Sequence, residues 1–356
     1  MDFTKPIKLE SARAWRTYIG GRLIEELHGN KNAEDSNFPE EWLMSTVTAR
    51  NAGRENIVEG LSITEYGVSL KELIDKSPKD ILGEKHYKTY GSTTGVLVKL
   101  LDSAERLTVQ VHPTREKAKM LFNSEYGKTE CWYILNCRND ICEKPCIYLG
   151  FKEGVTKEKW KECFDKQDIN SMLNMLHCFE VKPGETYLIK GGVPHAIGAG
   201  CFLTEIQEPT DYTVRTEKTT PSGLAINDFM CHQGLGFEKM FDCFDYKGMT
   251  ASETLDSYKI KPITNKTEEY TESEVIGYRD TEMFCLKVIS INKEYCVKKA
   301  NSFSGIYILD GEGTVADRRV QKGDQFFIPA SAEDFCIKSS NGLLKVIQYF
   351  GPRTDL

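Results

Sequence analysis

Short apolar runs separated by glycine and aspartate turns dominate the pattern of hydrophobic and polar positions along the chain. The runs have the length of strands and are rich in β-branched and aromatic residues, which pack well on a pleated surface. They predict strands at Val96–Leu101, Leu107–Val111, Cys131–Leu135, Thr186–Ile189, Phe202–Ile206, Phe284–Ile289, Gly305–Leu309, Gln325–Ile328 and Leu344–Phe350. Helical periodicity is rarer and predicts helices at Ser11–Leu27, Ser69–Asp75, Arg115–Phe122 and Lys157–Leu176. We therefore expect a mainly β protein that carries a few helices.

An internal repeat refines this expectation. The segment "VKPGETYLIKGGVPHAI", which begins at Val181, aligns with "VQKGDQFFIPASAEDFCI", which begins at Val320. The segment "TECWYIL" aligns with "FSGIYIL", which pairs Tyr133 with Tyr307. The two alignments have different offsets, and the difference is accounted for by an insertion in the first copy that covers the helical stretch. The chain is therefore predicted to contain two related β-barrels, the first enlarged by a helical insert.

The repeat also predicts the domain boundaries. We expect residues 1–255 to form one domain with an N-terminal extension and a helical insert at about 156–177, and residues 256–356 to form a second domain. The polar stretch 251–274, rich in serine, threonine and glutamate, is the predicted linker.

Composition excludes several classes of protein. The 356 residues are 40% hydrophobic with a formal net charge of -7, which argues against nucleic acid as a partner because phosphate-backbone binders carry a basic face. No apolar run approaches the length of a membrane span, so we expect a cytoplasmic protein with no membrane partner. The twelve cysteines lack the dense spacing of a disulfide scaffold and are predicted to be reduced.

Polar residues alternate with apolar ones on two of the predicted strands. Successive residues of a strand point to opposite faces, so Gln110 shares a face with His112, and Lys128 shares one with Glu130. If both faces project into one barrel, an amide oxygen, an imidazole and a carboxylate converge. His195, just after a further predicted strand, would supply a second imidazole.

The four predicted ligands, Gln110, His112, Glu130 and His195, suit one Zn²⁺ ion per chain, and their atom types also permit Fe, Mn, Co or Ni. Each residue also has an ordinary interpretation, since a lone histidine is more often a hydrogen-bonded structural residue and glutamine is an uncommon ligand. The repeat favours the metal site. In the second copy Ser304 and Asp334 replace Glu130 and His195, and that copy contains no histidine.

Four sequence elements together resemble a known family. They are "PEEWLMS", "LTVQVHPTREKA", "GKTECWYIL" and "PGETYLIKGGVPHAIGAGCFLTEIQEPTDYTVR". The chain is similar in these elements to the type I mannose-6-phosphate isomerases, metal-dependent enzymes of the cupin fold, most strongly from Gly95 to Arg215. The resemblance implies a protein with two cupin barrels, a bicupin, in which the four ligands hold zinc in the first barrel and the second barrel is free of metal.

The resemblance also implies an activity, the interconversion of mannose 6-phosphate and fructose 6-phosphate by proton transfer through a cis-enediol. Lys128 and Arg215 are implicated as catalytic residues. Asp211 shares the strand face of Arg215 and is expected to bind the substrate. Lys99 and Thr108 are expected to contact the phosphate, although packing at the edge of the core explains both equally well.

The chain departs from the pattern of the short bacterial members after Arg215, where it reads "TEKTTPSGLAIND". Two alternatives therefore stay open, a non-catalytic sugar-phosphate-binding cupin and an isomerase of a related phosphorylated sugar. An Fe- or Mn-dependent cupin oxygenase is a third, but it would give Lys128 and Arg215 no task. A small sugar phosphate is the only partner expected, with no obligate protein partner.

Overall fold

The computed structural model describes residues 2–51 and 53–354 of the chain. Its strands are β1 (Ile7–Leu9), β2 (Arg13–Ala14), β3 (Glu40–Leu43), β4 (Leu97–Asp102), β5 (Gln110–Val111), β6 (Glu130–Cys137), β7 (Cys146–Phe151), β8 (Leu176–Glu180), β9 (Thr186–Ile189), β10 (His195–Ile197), β11 (Cys201–Gln207), β12 (Val214–Arg215), β13 (Lys259–Ile260), β14 (Ile263–Lys266), β15 (Tyr270–Ile276), β16 (Cys285–Ile291), β17 (Glu294–Val297), β18 (Ser304–Asp310), β19 (Glu312–Val315), β20 (Arg318–Gln321), β21 (Gln325–Ile328), β22 (Phe335–Ser339) and β23 (Leu344–Phe350). Its helices are α1 (Arg22–Leu27), α2 (Leu70–Lys76), α3 (Pro78–Leu82), α4 (Glu84–Tyr90), α5 (Arg115–Phe122), α6 (Lys157–Lys166), α7 (Ile169–Asn174), α8 (Asp228–His232) and α9 (Ala251–Tyr258), and a 3₁₀ turn covers Lys239–Cys243. The mainly β prediction is confirmed.

The strands form two pairs of sheets. The first pair consists of a seven-stranded sheet in the order β13-β9-β6-β11-β4-β3-β2 and a five-stranded sheet in the order β12-β5-β10-β7-β8. The second pair consists of a seven-stranded sheet in the order β1-β21-β18-β23-β16-β15-β14 and a four-stranded sheet in the order β17-β22-β19-β20. Each pair has its own apolar core, which contains Trp132 and Leu203 in the first and Ile306 and Phe326 in the second.

The register of these sheets confirms the internal repeat. Strand β6 pairs with β9 so that Glu130 faces Ile189, and β18 pairs with β21 so that Ser304 faces Ile328. The order β9-β6-β11-β4 in the first large sheet matches β21-β18-β23-β16 in the second. The two copies therefore share strand order and register as well as sequence.

Two helices, α6 and α7, occupy the predicted insert. The hydroxyl of Thr156 accepts the backbone N–H of Lys159 and caps the start of α6. Trp160 and Phe164 lie on the buried face of this helix, where they pack edge-on against Phe151 and Phe241, respectively. The insert is therefore anchored by aromatic packing against the back of the small sheet.

The helix predicted over residues 11–27 is wrong in its first half. Only Arg22–Leu27 is helical, and Arg13–Ala14 is a short strand at the sheet edge. Two consecutive glycines stop the helix, since Gly21 has a left-handed backbone with φ of 96° and a Cβ on Gly20 would meet the Asp102 carbonyl oxygen at 1.9 Å. The apolar spacing of this segment comes from packing against the first large sheet.

The segment predicted to link the two domains contains regular secondary structure. Its polar residues form helix α9 and then strands β13, β14 and most of β15, which continue the edges of the two large sheets. Helix α9 begins with a capping box in which Thr250 and Glu253 satisfy each other's backbone N–H groups. Strand β1, at the other end of the chain, pairs with β21 and so joins the second pair of sheets.

The prediction of reduced cysteines is wrong for one pair. Cys296 and Cys336 face each other across β17 and β22 and are joined by a disulfide. The ten other cysteines are free thiols. Strand pairing brings together two residues that are 40 positions apart in the sequence, which no local spacing could have indicated.

None of the helices within residues 2–51 and 53–354 combines the length and apolar character needed to cross a lipid bilayer.

His28 joins the N-terminal segment to both large sheets. Its Nε2 lies 2.7 Å from Oε2 of Glu41 in β3 and 3.5 Å from the hydroxyl of Tyr307 in β18. Burial opposes the charged imidazole, but the hydrogen bond to Glu41 and its negative charge outweigh burial and raise the pKa of His28. The imidazolium form therefore stabilises the fold.

A His28→Gln substitution is expected to cost about 1 kcal/mol of unfolding free energy near pH 6 and less near pH 9. The raised pKa of His28 means that its contribution is complete below the ordinary value of 6.5 and is lost as the pH rises through the folded value. Urea unfolding at the two pH values measures the difference. A Glu41→Gln background is the control, in which the pH dependence of the His28 effect should disappear. Equal losses at both pH values would contradict this assignment.

Candidate metal centre

The four predicted ligands lie together between the two sheets of the first pair. Gln110 in β5 is the register partner of His195 in β10, His112 follows β5 by one residue, and Glu130 begins β6. His112, Glu130 and His195 are buried, while Gln110 is half-buried. Strand pairing thus brings three distant parts of the chain to one point, as the alternation predicted for Gln110 and His112.

The distances in this cluster are those of direct contact. Nε2 of His112 lies 3.1 Å from Oε2 of Glu130, and Nε2 of His195 lies 3.4 Å from Oε1 of the same carboxylate. The donor atoms of these three residues all lie within 4.8 Å of one another. The amide nitrogen of Gln110 is 3.3 Å from Nε2 of His195, and half a turn of the amide would present its oxygen instead.

Backbone carbonyls orient both imidazoles. Nδ1 of His112 donates to the carbonyl of Tyr212, and Nδ1 of His195 donates to the carbonyl of Val193, each at 2.8 Å. A carbonyl oxygen can only accept, so the proton of each neutral ring lies on Nδ1 and the lone pair of Nε2 faces the cluster. This support of a ring by its second nitrogen is typical of histidines that bind metals.

Burial sets the charges of the cluster. Burial and the nearby Lys128 ammonium lower the pKa of His112 to about 4, and burial lowers the pKa of His195. Burial alone would raise the pKa of Glu130, but the positive charge of Lys128 is the main opposing influence, and that pKa lies well below its ordinary value. At neutral pH the site therefore presents two neutral imidazoles and one carboxylate.

One buried oxygen atom of the cluster lacks a hydrogen-bond donor among the described residues. Oε1 of Glu130 is buried and accepts no hydrogen bond from any described residue. A buried carboxylate oxygen without a partner is costly, and a bound cation would supply the missing interaction. The donor atoms, their protonation states and this oxygen fit a divalent transition metal.

Lys128 contacts two of the proposed ligands. Its Nζ lies 2.9 Å from Nε2 of His112 and 2.5 Å from Oε2 of Glu130, and only 3% of the residue is exposed. The ammonium group therefore supplies positive charge to the carboxylate. Its place beside the cluster agrees with the position predicted for a catalytic cation.

A small polar cavity of about 30 Å³ adjoins the cluster, and Lys99, Thr108, Gln110, Lys128 and Arg215 line it. Lys99 extends from β4, where its Nζ lies 3.1 Å from a carboxylate oxygen of Glu205 and 3.7 Å from one of Glu40.

Arg215 and Asp211 border a second, larger cavity of about 660 Å³. Arg215 donates to the carbonyls of Thr213 and Met230, at 3.2 and 3.0 Å. Asp211 lies near it, but both oxygens of its carboxylate accept hydrogen bonds from Arg16. The structure therefore brings the predicted catalytic and substrate-binding residues to the two cavities, with Lys99, Thr108 and Lys128 at the small one, Asp211 at the large one and Arg215 lining both.

Several charged residues of the small cavity were not predicted from the sequence. They are Arg16 and Glu40 from the N-terminal segment and Glu205 from β11. Glu205 had a usable signal, since it stands in the apolar run "CFLTEIQ", whose seven residues are all buried. A charge inside a buried strand requires a partner, and Lys99 and Trp132 Nε1 provide it. Arg16 had no comparable signal, because its segment was predicted to be helical.

Up to residue 354, where the described part of the chain ends, the second copy offers no equivalent set of donors. Ser304 in β18 accepts a hydrogen bond from Gln348, and Asp334 is exposed and paired with Lys298. Outside the first copy, the described residues place one other group of metal-type donors together, Glu294 with Cys296 and Cys336. The two sulfurs of that group are joined in the disulfide.

Comparisons with known proteins agree with this arrangement. A model described as "Phosphomannose isomerase type I, catalytic domain" matches residues 20–131, and one described as "Mannose-6-phosphate isomerase, cupin domain" matches residues 275–348. The chain is 26% identical over 265 residues to the mannose-6-phosphate isomerase ManA of Bacillus subtilis (strain 168), with 71% of this chain and 76% of that protein covered. It is 28% identical over 215 residues to the mannose-6-phosphate isomerase of Streptococcus mutans, with 59% and 60% covered.

The fold has solved counterparts. The crystal structure of the mannose 6-phosphate isomerase from Bacillus subtilis superposes with a TM-score of 0.74 at 23% sequence identity, over 97% of this chain and 99% of that one. The likeness thus extends over both pairs of sheets.

Proposed function

We propose that this chain, a relative of the type I mannose-6-phosphate isomerases, is itself a metal-dependent isomerase that interconverts mannose 6-phosphate and fructose 6-phosphate. The observation that carries the proposal is the buried cluster of His112, Glu130 and His195 beside a cavity that holds Lys128 and Arg215. An isomerase needs both parts, because it must remove a weakly acidic C–H proton and stabilise the negative charge that develops on oxygen.

The proposed metal ligands are Gln110, His112, Glu130 and His195. Neutral Nε2 atoms and a carboxylate suit Zn²⁺, and another divalent transition metal is compatible with the same atoms. When bound, the metal would polarise the oxygens at C1 and C2 of the sugar. The amide of Gln110 would have to present its oxygen, the atom that now faces away from His195.

The reaction moves a proton between C2 and C1 through a cis-enediol, while a second proton moves between the two oxygens. Lys128 lies beside the ligands, where an ammonium group can hold or deliver a proton at these oxygens. Arg215, buried and unpaired with any carboxylate among the described residues, offers donors to an anion in either cavity. Lys99 and Thr108 in the small cavity and Asp211 in the large one are proposed to contact the sugar phosphate.

We also propose that each pair of sheets is a cupin barrel, so that the chain is a bicupin divided into residues 1–255 and 256–356. The matched order and register of the two copies support this division. Strand β1 would then belong to the first domain in sequence but pair with β21 in the sheet of the second domain. The cytoplasm is the proposed location, because sugar phosphates are intracellular metabolites.

A coupled assay with mannose 6-phosphate on metal-analysed protein tests the proposal. We expect turnover that falls to background after chelation and returns with one equivalent of Zn²⁺ per chain, because the cluster has one set of donors. Fructose 6-phosphate should be consumed in the reverse direction. Full activity without metal would refute the metal dependence. Thermal stabilisation by several hexose phosphates without turnover would favour the non-catalytic alternative.

A further inference from the structure

Arg16 makes an extensive buried contact in the first pair of sheets. Its two Nη atoms each lie 3.1 Å from an oxygen of the Asp211 carboxylate, and its Nε lies 3.4 Å from Oε1 of Glu40. Only 8% of the Arg16 side chain and 4% of the Asp211 side chain are exposed. The fork of the guanidinium therefore engages the whole Asp211 carboxylate.

Of the other cations near Asp211, two form ion pairs with a glutamate and Arg215 does not. Lys99 is paired with Glu205 at 3.1 Å, and Lys128 is paired with Glu130 at 2.5 Å. Arg215 is bonded only to backbone carbonyls, and no Asp or Glu of the described residues forms an ion pair with it. Its remaining N–H groups are thus free to bind an anion.

Asp211 is the natural competitor for those N–H groups. Asp211 and Arg215 lie on one short stretch of chain and border the same 660 Å³ cavity. A buried carboxylate that loses its cation must find another, because an uncompensated buried charge is costly. Arg215 borders that cavity without a carboxylate partner among the described residues, as does Arg50, whose guanidinium lies over the Tyr212 ring at 5.9 Å from its centroid.

We propose that Arg16 is a positioning residue that holds the Asp211 carboxylate away from Arg215 and so keeps Arg215 free for a phosphate or other oxyanion of the ligand. Arg16 lines the small cavity, but in this scheme it acts on ligand binding through Asp211 and Arg215. The identity of the ligand as a sugar phosphate rests on the proposed function. The competition between Asp211 and an anion for the N–H groups of Arg215 does not.

The test is the affinity for inorganic phosphate, measured by calorimetry at constant ionic strength on the metal-loaded full chain. An Arg16→Gln substitution should weaken phosphate binding about tenfold or more, since Asp211 would turn to Arg215. The KM for mannose 6-phosphate should rise by a similar factor while kcat changes less. The double variant Arg16→Gln/Asp211→Asn should recover phosphate affinity to within about threefold of the parent, because the competing charge is gone.

A matched control is Arg138→Gln. Arg138 is equally buried and forms a two-point ion pair with Asp35, at 2.9 and 2.7 Å, but lines neither cavity. It should lower thermal stability without changing phosphate affinity. Arg16→Lys serves as a second variant if Arg16→Gln does not fold, and it should weaken phosphate binding to a smaller extent because it keeps the charge but loses the fork.

Three results would overturn the inference. They are unchanged phosphate affinity in both folded Arg16 variants, a double variant that binds phosphate no better than Arg16→Gln, and a parent protein that does not bind phosphate. Failure of the proposed function is a different outcome. The parent protein could lack isomerase activity while its phosphate affinity still falls in Arg16→Gln and recovers in the double variant. That result would refute the proposed function and support the role of Arg16.

Discussion

Replacing His195 by alanine is expected to lower kcat/KM for mannose 6-phosphate by roughly 10³-fold or more and to reduce the bound metal well below one equivalent. A metal that polarises reacting oxygens contributes several kcal/mol to transition-state stabilisation, and about 1.4 kcal/mol corresponds to a factor of ten in rate. His195 supplies one of the two neutral Nε2 atoms of the cluster, and no other described histidine lies close enough to replace it. Elemental analysis and the coupled isomerase assay on the same sample measure both effects.

His86→Ala is the matched control for this prediction. His86 is as fully buried as His195, but its ring bonds the carbonyl of Thr93 and packs against Phe303, away from the cluster. The control should lose stability and keep its metal and its activity once folded. A His195→Ala protein that retains one equivalent of metal and full turnover would remove the cluster from the mechanism.

Replacing Arg215 by alanine is expected to lower kcat/KM by on the order of 10²-fold, because it removes a preorganised charged donor to an anionic oxygen of the ligand. Metal content should stay at the parent level, because the hydrogen bonds of the Arg215 side chain go to the carbonyls of Thr213 and Met230 and to none of the proposed ligands. The two effects together separate Arg215 from His195. Steady-state kinetics and metal analysis of one preparation provide both readouts.

Arg215→Lys distinguishes chemistry from packing at this position. Lysine keeps the charge but cannot make the forked contact, so its activity should lie between those of the parent and the alanine variant. The alanine variant also loses the bond to Met230, so thermal unfolding must show that helix α8 and its surroundings stay folded. A change of only a few-fold in kcat/KM would leave Arg215 with a structural role alone.

Several elements could be predicted because local sequence decides them. Strands Thr186–Ile189, Gln325–Ile328 and Leu344–Phe350 and helix Arg115–Phe122 have the bounds expected from their apolar periodicity. In α5 the periodicity agrees with the cap, since Thr114 accepts the backbone N–H of Lys117. The prediction failed for residues 11–27, where the apolar spacing favoured a helix but Gly20 and Gly21 stop it.

The sequence predicted some residues of the proposed site but not others. Alternation along β5 put Gln110 and His112 on one face, and the histidine-free second copy marked His195 as different from its counterpart Asp334. Neither signal involved Arg16 or Glu40. Those two residues reach the cavity because the N-terminal segment crosses the large sheet beside β4, and a contact across such a distance in sequence leaves no periodic trace.

The sequence by itself determined the mainly β class, the two related copies and the set of residues able to bind a metal, because each depends on side-chain alternation or on similarity between segments. Only the tertiary structure decided which charges neutralise one another. Arg16 pairs with Asp211, Lys99 with Glu205 and Lys128 with Glu130, which leaves Arg215 without a carboxylate. The physical reason is that an ion pair depends on distance and burial in space, and strands far apart in the chain set both.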